Sequence, residues 1–260
     1  MFFRLMAPFA VVGRSGLDLA AAVGRWGLLV SRAARGLALP GTWAPLLVGE
    51  LARIGVASVP IALFISAFTG IVLALQASYT FTGAVPLYFV GTLVGKTMLL
   101  ELGPVLTGLA LAGRVGANIA ANIGTMKVTE QIDALETLGY DPVAYLVTPR
   151  VIAGIIMFPI VTALAVALGI AMGWLTSLGV LNMSTPEFVK GIRLFFEVFD
   201  VQYSMIKATS FGLTVTSVGC FFGMTTRGGA VGVGAAATRS VVVSSMVILV
   251  LDAFWAATLL

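Results

Sequence analysis

Apolar positions fill five long stretches of the chain, at about residues 52–77, 88–112, 151–181, 204–224 and 239–260. Charge, glycine and proline gather between them. Each stretch exceeds the ~20 residues that carry an α-helix across ~30 Å of hydrocarbon, so the pattern predicts five membrane-spanning helices. The third stretch is long and contains Pro159, which predicts a tilt or a start in the membrane interface. Residues 1–38 have a different pattern. Arg4, Arg14, Arg25, Arg32 and Arg35 alternate with Phe2, Phe3, Leu17, Leu19, Trp26, Leu28 and Leu29. A basic, aromatic-bearing amphipathic helix of this kind is expected to lie in the interface. Arg14, Asp18 and Arg25 argue against a short extra span there. Pro40-Gly41 then breaks the chain. The expected organisation is an interfacial region at 1–40 and a five-span domain at 45–260 whose main cytoplasmic segment is 113–150.

Lysine and arginine set the expected orientation. With the N-terminus inside, segments 1–53, 113–150 and 225–239 hold eleven basic residues, whereas 78–87 and 182–203 hold only Lys190 and Arg193. That asymmetry predicts an N-in, C-out protein. Composition agrees with a membrane class: 59% of the 260 residues are hydrophobic and 10% are charged, and mean hydropathy is +1.07. Soluble domains carry about 25% charged residues. The net charge of +4 is that of basic loops beside a membrane rather than of a nucleic-acid binder. There is no histidine, which removes the commonest metal ligand and general base. The lone Cys220 cannot form an intrachain disulfide. No removable signal peptide is expected.

Two motif-like runs carry no chemistry. Gly91-Thr-Leu-Val-Gly95-Lys96-Thr97 lacks one residue of P-loop spacing and lies within an apolar helix rather than after a strand. Its glycines suit helix packing instead, as do Gly169/Gly173 and Gly219/Gly223. Gly232-Val-Gly234-Ala-Ala-Ala237 mimics a dinucleotide fingerprint, but no βαβ unit surrounds it; a close-packed turn before the last span is expected there. No Ser/His/Asp set, catalytic carboxylate pair or metal cluster is visible, so the chain is expected to be non-enzymatic, with no cofactor of its own.

The segment 113–150 is the most informative. A short helix is expected over 130–138, with Thr129 as N-cap, Glu130 and Asp133 at the positive end and Gly139 as stop. Ile132, Leu135 and Leu138 recur along one side, and Glu130, Asp133 and Glu136 along the next. A helix of about nine residues is unstable alone in water. Its apolar side is buried either under the chain's own spans or in a groove of a cytoplasmic partner.

This stretch resembles the MlaE (YrbE) permease family of bacterial ABC transporters, which work with MCE-domain proteins. The matching residues are Glu101-Leu-Gly-Pro104, Ala112-Gly-Arg114-Val-Gly116, Gly124-Thr-Met126, Thr129-Glu130-Gln131, Asp141-Pro142, Pro149-Arg150, Thr238-Arg239 and Leu251-Asp252. The resemblance runs from about residue 45 to the end. It implies a homodimeric, all-α permease of the bacterial inner membrane that moves phospholipid between the inner and outer membranes. It implies that Glu130, Gln131, Ile132, Asp133, Leu135, Glu136, Leu138 and Asp141 meet a cytoplasmic MlaF-like ATPase that holds ATP and Mg. Partners of MlaD-like MCE and MlaB-like STAS type are implied as well. Asn122 stands where members often carry Glu, so a charge-dependent contact is not expected from it.

Ionisable groups within the spans are functional candidates. Glu101 falls near the middle of the second span, where a lone carboxylate costs on the order of 3 kcal/mol. It is expected to be protonated, paired, or facing a wet cavity. Pro104 cannot bond the carbonyl of Leu100, which predicts a kink beside Glu101. Lys96, five residues away, is about 140° around the helix and is badly placed to pair with it. Lipid-cavity lining or gating is expected from Glu101, Pro104, Gln76 and Lys96. Asp252 is expected to be structural, and Lys207 to snorkel at the outer end of the fourth span. Two rival functions remain at this point: an ion-coupled secondary transporter using Lys96, Glu101 and Asp252, and a non-transporting scaffold. The first should show inverted repeats, and none is visible.

Overall fold

The computed structural model describes residues 2–80 and 86–259, with side chains in the first helix described from residue 16 onward, Leu19 excepted. The side chains of Phe2, Phe3, Arg4, Arg14 and Leu19 therefore lie outside the described residues, as do residues 81–85 of the 78–87 connection. The elements are α1 (Phe2–Gly36), α2 (Pro40–Ile54), α3 (Val59–Thr80), α4 (Phe89–Thr97), α5 (Gly103–Leu111), α6 (Ala117–Val128), α7 (Gln131–Thr137), α8 (Thr148–Val180), α9 (Thr185–Leu194), α10 (Val198–Met224) and α11 (Gly229–Leu259). Among the described residues there is no strand. Five continuous helical stretches are long and apolar enough to cross a membrane: Pro40–Thr80, Phe89–Val128, Val143–Val180, Val198–Met224 and Gly229–Leu259.

These helices run further than the apolar pattern indicates. The second does not end near residue 112. It passes through π-helical turns at Met98–Leu102 and Ala112–Gly116 and continues to Val128. Gly113, Gly116, Asn118, Asn122 and Gly124 look like loop composition, yet Gly116 and Gly124 are contact surfaces. A Cβ on Gly219 of α10 would sit 3.1 Å from the Gly116 carbonyl. A Cβ on Gly124 would sit 2.9 Å from the Thr226 hydroxyl. Small residues here allow helices to approach closely, as in membrane bundles generally. Likewise, the expected turn at 232–237 is helical. The reversal lies earlier, at Gly228 and Gly229, whose φ values of 88° and 65° suit glycine and strain other residues.

Interhelical contacts are backbone-close. Gly70 of α3 faces Gly169 of α8, and Gly154 of α8 faces Gly212 of α10, with no room for a Cβ at any of them. Two apolar cores result. One joins Ile54, Leu111, Ile119, Ile123, Val147, Phe158, Phe211 and Val215. The other joins Leu73, Val90, Val94, Met98, Val166 and Phe188 toward the opposite end. The second half of α1 lies against the bundle: Thr148 donates to the Ala33 carbonyl (3.1 Å) and Trp26 to the Ser217 hydroxyl (3.2 Å). Pro40 occupies the first turn of α2, where its missing N–H costs nothing.

Candidate functional site

Glu101 sits in the Met98–Leu102 π-turn, immediately before α5. Beside Pro104 the helix takes up one extra residue, and Gly103 donates back to the Met98 carbonyl. The Leu100 carbonyl, which Pro104 cannot bond, accepts a hydrogen bond from the Lys207 ammonium at 3.0 Å. The same ammonium pairs with Glu101 Oε2 at 2.8 Å and with Asp252 Oδ1 of α11. Lysine has three N–H donors and no acceptor; here two of them meet the Leu100 carbonyl and Glu101, and Asp252 adds an ion-pair contact. The Tyr203 ring lies 4.8 Å from the ammonium. Lys207 does not snorkel, as its position near a helix end had indicated; its side chain is 0% exposed. The reason is local: two carboxylates and a freed carbonyl converge on it inside the bundle, which offsets the cost of its burial.

The three charges come from α10, α11 and the π-turn between α4 and α5, so the centre ties three spans together. Asp252 is enclosed, with a side chain 20% exposed, while Glu101 is open at 39%. With both carboxylates ionised the centre carries one net negative charge, and Glu101 is the member that faces outward from it.

Lys96 belongs to a separate pair. Its ammonium meets Asp200 Oδ1 at 2.8 Å, and Asp200 Oδ2 accepts the backbone N–H of Glu197 at 3.0 Å. Asp200 thus caps α10 and binds α4 at once. Gln76 is exposed near the end of α3, with its carbonyl accepting from Thr80 at 2.9 Å. Lys96 and Glu101 thus have different ion-pair partners, and the Gln76 contact belongs to α3 alone. Sequence reasoning picked out Glu101, Lys207 and Asp252 separately and missed their convergence, along with Asp200. The available signal was that charges at depth must find partners.

The short helix α7 also differs in detail from expectation. Thr129 ends α6, its hydroxyl donating to the Thr125 carbonyl at 2.8 Å, and does not cap α7. Glu130 takes the cap position with a left-handed φ of 58°. Gly139 does stop the helix. Tyr140 donates to the Leu135 carbonyl at 3.1 Å and Gly139 to that of Glu136 at 3.0 Å, a Schellman closure. Ile132, Leu135 and Leu138 do not share one outward face. Ile132 is 1% exposed in the chain's own core, Leu135 is partly packed against that core, and Leu138 is 72% exposed. A three-residue step drifts by about 60° per repeat on a 3.6-residue helix, which carries Leu138 out of register. Asp133 is held to Lys127 at 2.8 Å, Gln131 donates to Thr129 at 3.1 Å, and Asp141 accepts the Val143 N–H at 2.9 Å. Glu130, Glu136, Leu138 and Tyr140 remain exposed.

An all-helical bundle with five membrane-length stretches and ion pairs among them defines a multi-pass membrane protein. Comparison with known proteins narrows this. The family described as "Permease MlaE" matches residues 47–258. A probable ABC transporter permease protein of Rickettsia typhi is 40% identical, covering 92% of this chain and 93% of its own. The intermembrane phospholipid transport system permease protein MlaE of Haemophilus influenzae is 34% identical over 94% of each chain. The chloroplastic protein trigalactosyldiacylglycerol 1 of Arabidopsis thaliana is 36% identical over 78% of this chain and 58% of its own. This chain belongs to the MlaE permease family.

Proposed function

We propose that the protein is the membrane subunit of an ATP-driven transporter that moves phospholipid between the inner and outer membranes of a bacterium, and that it resides in the inner membrane. The name of the Haemophilus relative supports phospholipid as cargo. Two copies enclose the lipid path, with α1 in the interface and the N-terminus cytoplasmic, an orientation supported by the basic residues at one end. ATP and Mg are held by a separate cytoplasmic ATPase. An MCE-domain protein, and in some assemblies a STAS-domain protein, completes the complex.

The observation that carries this reading is α7. It is anchored inward by Ile132, tied to α6 through Lys127–Asp133 and joined to α8 through Asp141 and the Val143–Val147 turn. It offers Glu130, Glu136, Leu138 and Tyr140 outward. A rigid element bound on both sides moves with its socket, so closure of the ATPase around α7 would shift α6 and α8 together. Because α6 continues back through the Ala112–Gly116 π-turn and α5 into the π-turn that bears Glu101, that shift reaches the charged centre along one helix. Reconstitution with the ATPase tests the function: lipid transfer should require ATP hydrolysis. Transfer driven by an ion gradient without ATP would refute it in favour of a secondary transporter, and ATPase docking without transfer in favour of a scaffold.

A further inference from the structure

At the arginine-bearing end of the bundle, a cleft of about 370 Å³ opens between α2, α6 and the start of α8. Its polar lining is Glu50, Arg53, Arg114, Asn118, Asn122 and Arg150. A second cavity of about 350 Å³ shares Glu50, Arg53, Asn122 and Arg150 and extends toward Tyr145. Three guanidinium groups face one carboxylate. Glu50 is already shared, with Oε1 at 3.3 Å from Arg53 and 3.4 Å from Arg150. Arg150 is buried and fixed, donating to the Leu146 carbonyl at 2.6 Å and to Asn122 Oδ1 at 3.0 Å. Arg114 has no carboxylate partner among the described residues; it donates to the Ser58 hydroxyl and, at 3.4 Å, to the Arg53 carbonyl. A guanidinium carries five N–H donors, so Arg114 keeps donors for a ligand. The cleft therefore holds two uncompensated positive charges, with Arg114 and Arg150 hydrogen-bonded in place and Arg53 at the open side, a setting that suits a phosphate group with its several acceptor oxygens.

Its depth favours a lipid as the source of that phosphate. Arg150 lies in the first turn of α8, and Ser58 immediately precedes α3, so the cleft sits where these helices begin their apolar runs. From Ala57 on the cleft wall, α3 rises with Ile61, Phe64, Phe68 and Val72 exposed at 40%, 66%, 55% and 56%. Their spacing of three and four residues makes one stripe. A free phosphate has no use for such a stripe, whereas acyl chains would lie along it. We infer that this cleft binds the phosphate of an anionic phospholipid in the leaflet at the arginine-bearing end of the bundle. The inference goes beyond the transport reading and does not depend on it, because a chain that held the lipid without moving it would still carry the site.

The test is equilibrium binding of a fluorescent-tailed phosphatidylglycerol to the purified chain in neutral maltoside micelles, with no nucleotide or partner present. Binding should be saturable. Arg114→Gln should weaken it about tenfold, the loss expected for one charge-assisted hydrogen bond, and Arg114→Lys should restore part of it. Arg53→Gln removes a second cleft charge at a side chain 69% exposed, where the fold has little to lose, and should also weaken binding. Diacylglycerol with the same tails should not compete. Unchanged affinity in both glutamine variants overturns the inference, as does equal competition by diacylglycerol. Displacement of the lipid by inorganic phosphate at equal concentration assigns the cleft to a soluble anion and overturns it as well. Loss of ATP-driven transfer with this binding intact would count against the transport reading alone.

Discussion

Replacing Lys207 by methionine removes the cation around which three spans are organised while keeping an unbranched chain of similar length. The lost contacts are the pairs to Glu101 Oε2 and Asp252 Oδ1 and the hydrogen bond to the Leu100 carbonyl. The two carboxylates do not suffer equally. Glu101 is 39% exposed and its loss is discounted for solvent screening; Asp252, at 20%, is left largely enclosed without its partner. Breaking a buried pair by removing one member costs about 3–5 kcal/mol, and a lone aspartate at depth costs about 3 kcal/mol on insertion scales. Lys207→Met should therefore destabilise the bundle by about 3 kcal/mol, set chiefly by Asp252. The double variant Lys207→Met, Asp252→Asn should recover much of that loss, because no uncompensated charge stays enclosed. The assay is a double-mutant cycle on reversible unfolding in mixed micelles, with Lys207→Met and Asp252→Asn as single variants. A coupling of roughly 1–3 kcal/mol is expected for groups in one charged network. Additive effects would refute the reasoning, since they would mean that Lys207 and Asp252 do not share an ion pair in the folded protein. The same cycle with Glu101→Gln should give a smaller coupling, in proportion to its openness.

The remaining predictions concern the other elements. Glu130→Lys with Leu138→Asp should abolish capture of the ATPase in a pull-down while leaving the melting temperature of the isolated chain unchanged, because both side chains are exposed; retained capture would remove α7 from the docking surface. Gly70→Val should lose folded protein in size-exclusion profiles, because its side chain would collide with the Gly169 backbone; a normal elution profile would show that α3 and α8 are not in contact there. The cap of α9 should respond to acid. Backbone and side-chain hydrogen bonds from Ser184 hold the Glu187 carboxyl below its ordinary value of 4.5, so this stabilisation is present above that value and is lost as pH falls through the lowered one. Hydrogen exchange of the first α9 amides should accelerate across that acidic window, and Glu187→Gln should flatten the dependence; identical profiles would place the cap elsewhere.

The spans were legible in the sequence because crossing hydrocarbon demands length and apolarity, and both are written residue by residue. What escaped was set by contacts between distant segments. The 113–128 stretch has glycine and asparagine at loop-like density, yet it is helical because Gly116 and Gly124 let α10 and its following turn approach closely. The stop of α7 could be read, since Gly139 at φ 83° answers a local backbone need. The burial of Ile132 could not, because which of three similarly spaced residues turns inward depends on where α6 and α8 stand. The charged centre shows both sides of this limit. Pro104 forecasts an unbonded Leu100 carbonyl from the sequence alone, and Glu101, Lys207 and Asp252 each declare themselves by being ionisable within apolar runs. Their meeting depends on more than a hundred residues of intervening chain between Glu101 and Lys207. The local rule nevertheless constrains the outcome: a buried ammonium needs three acceptors, and the proline supplies one that a regular helix would have withheld. Substituting Pro104 by alanine would let residue 104 compete for the Leu100 carbonyl, so the proline acts on Lys207 through a hydrogen bond it does not make.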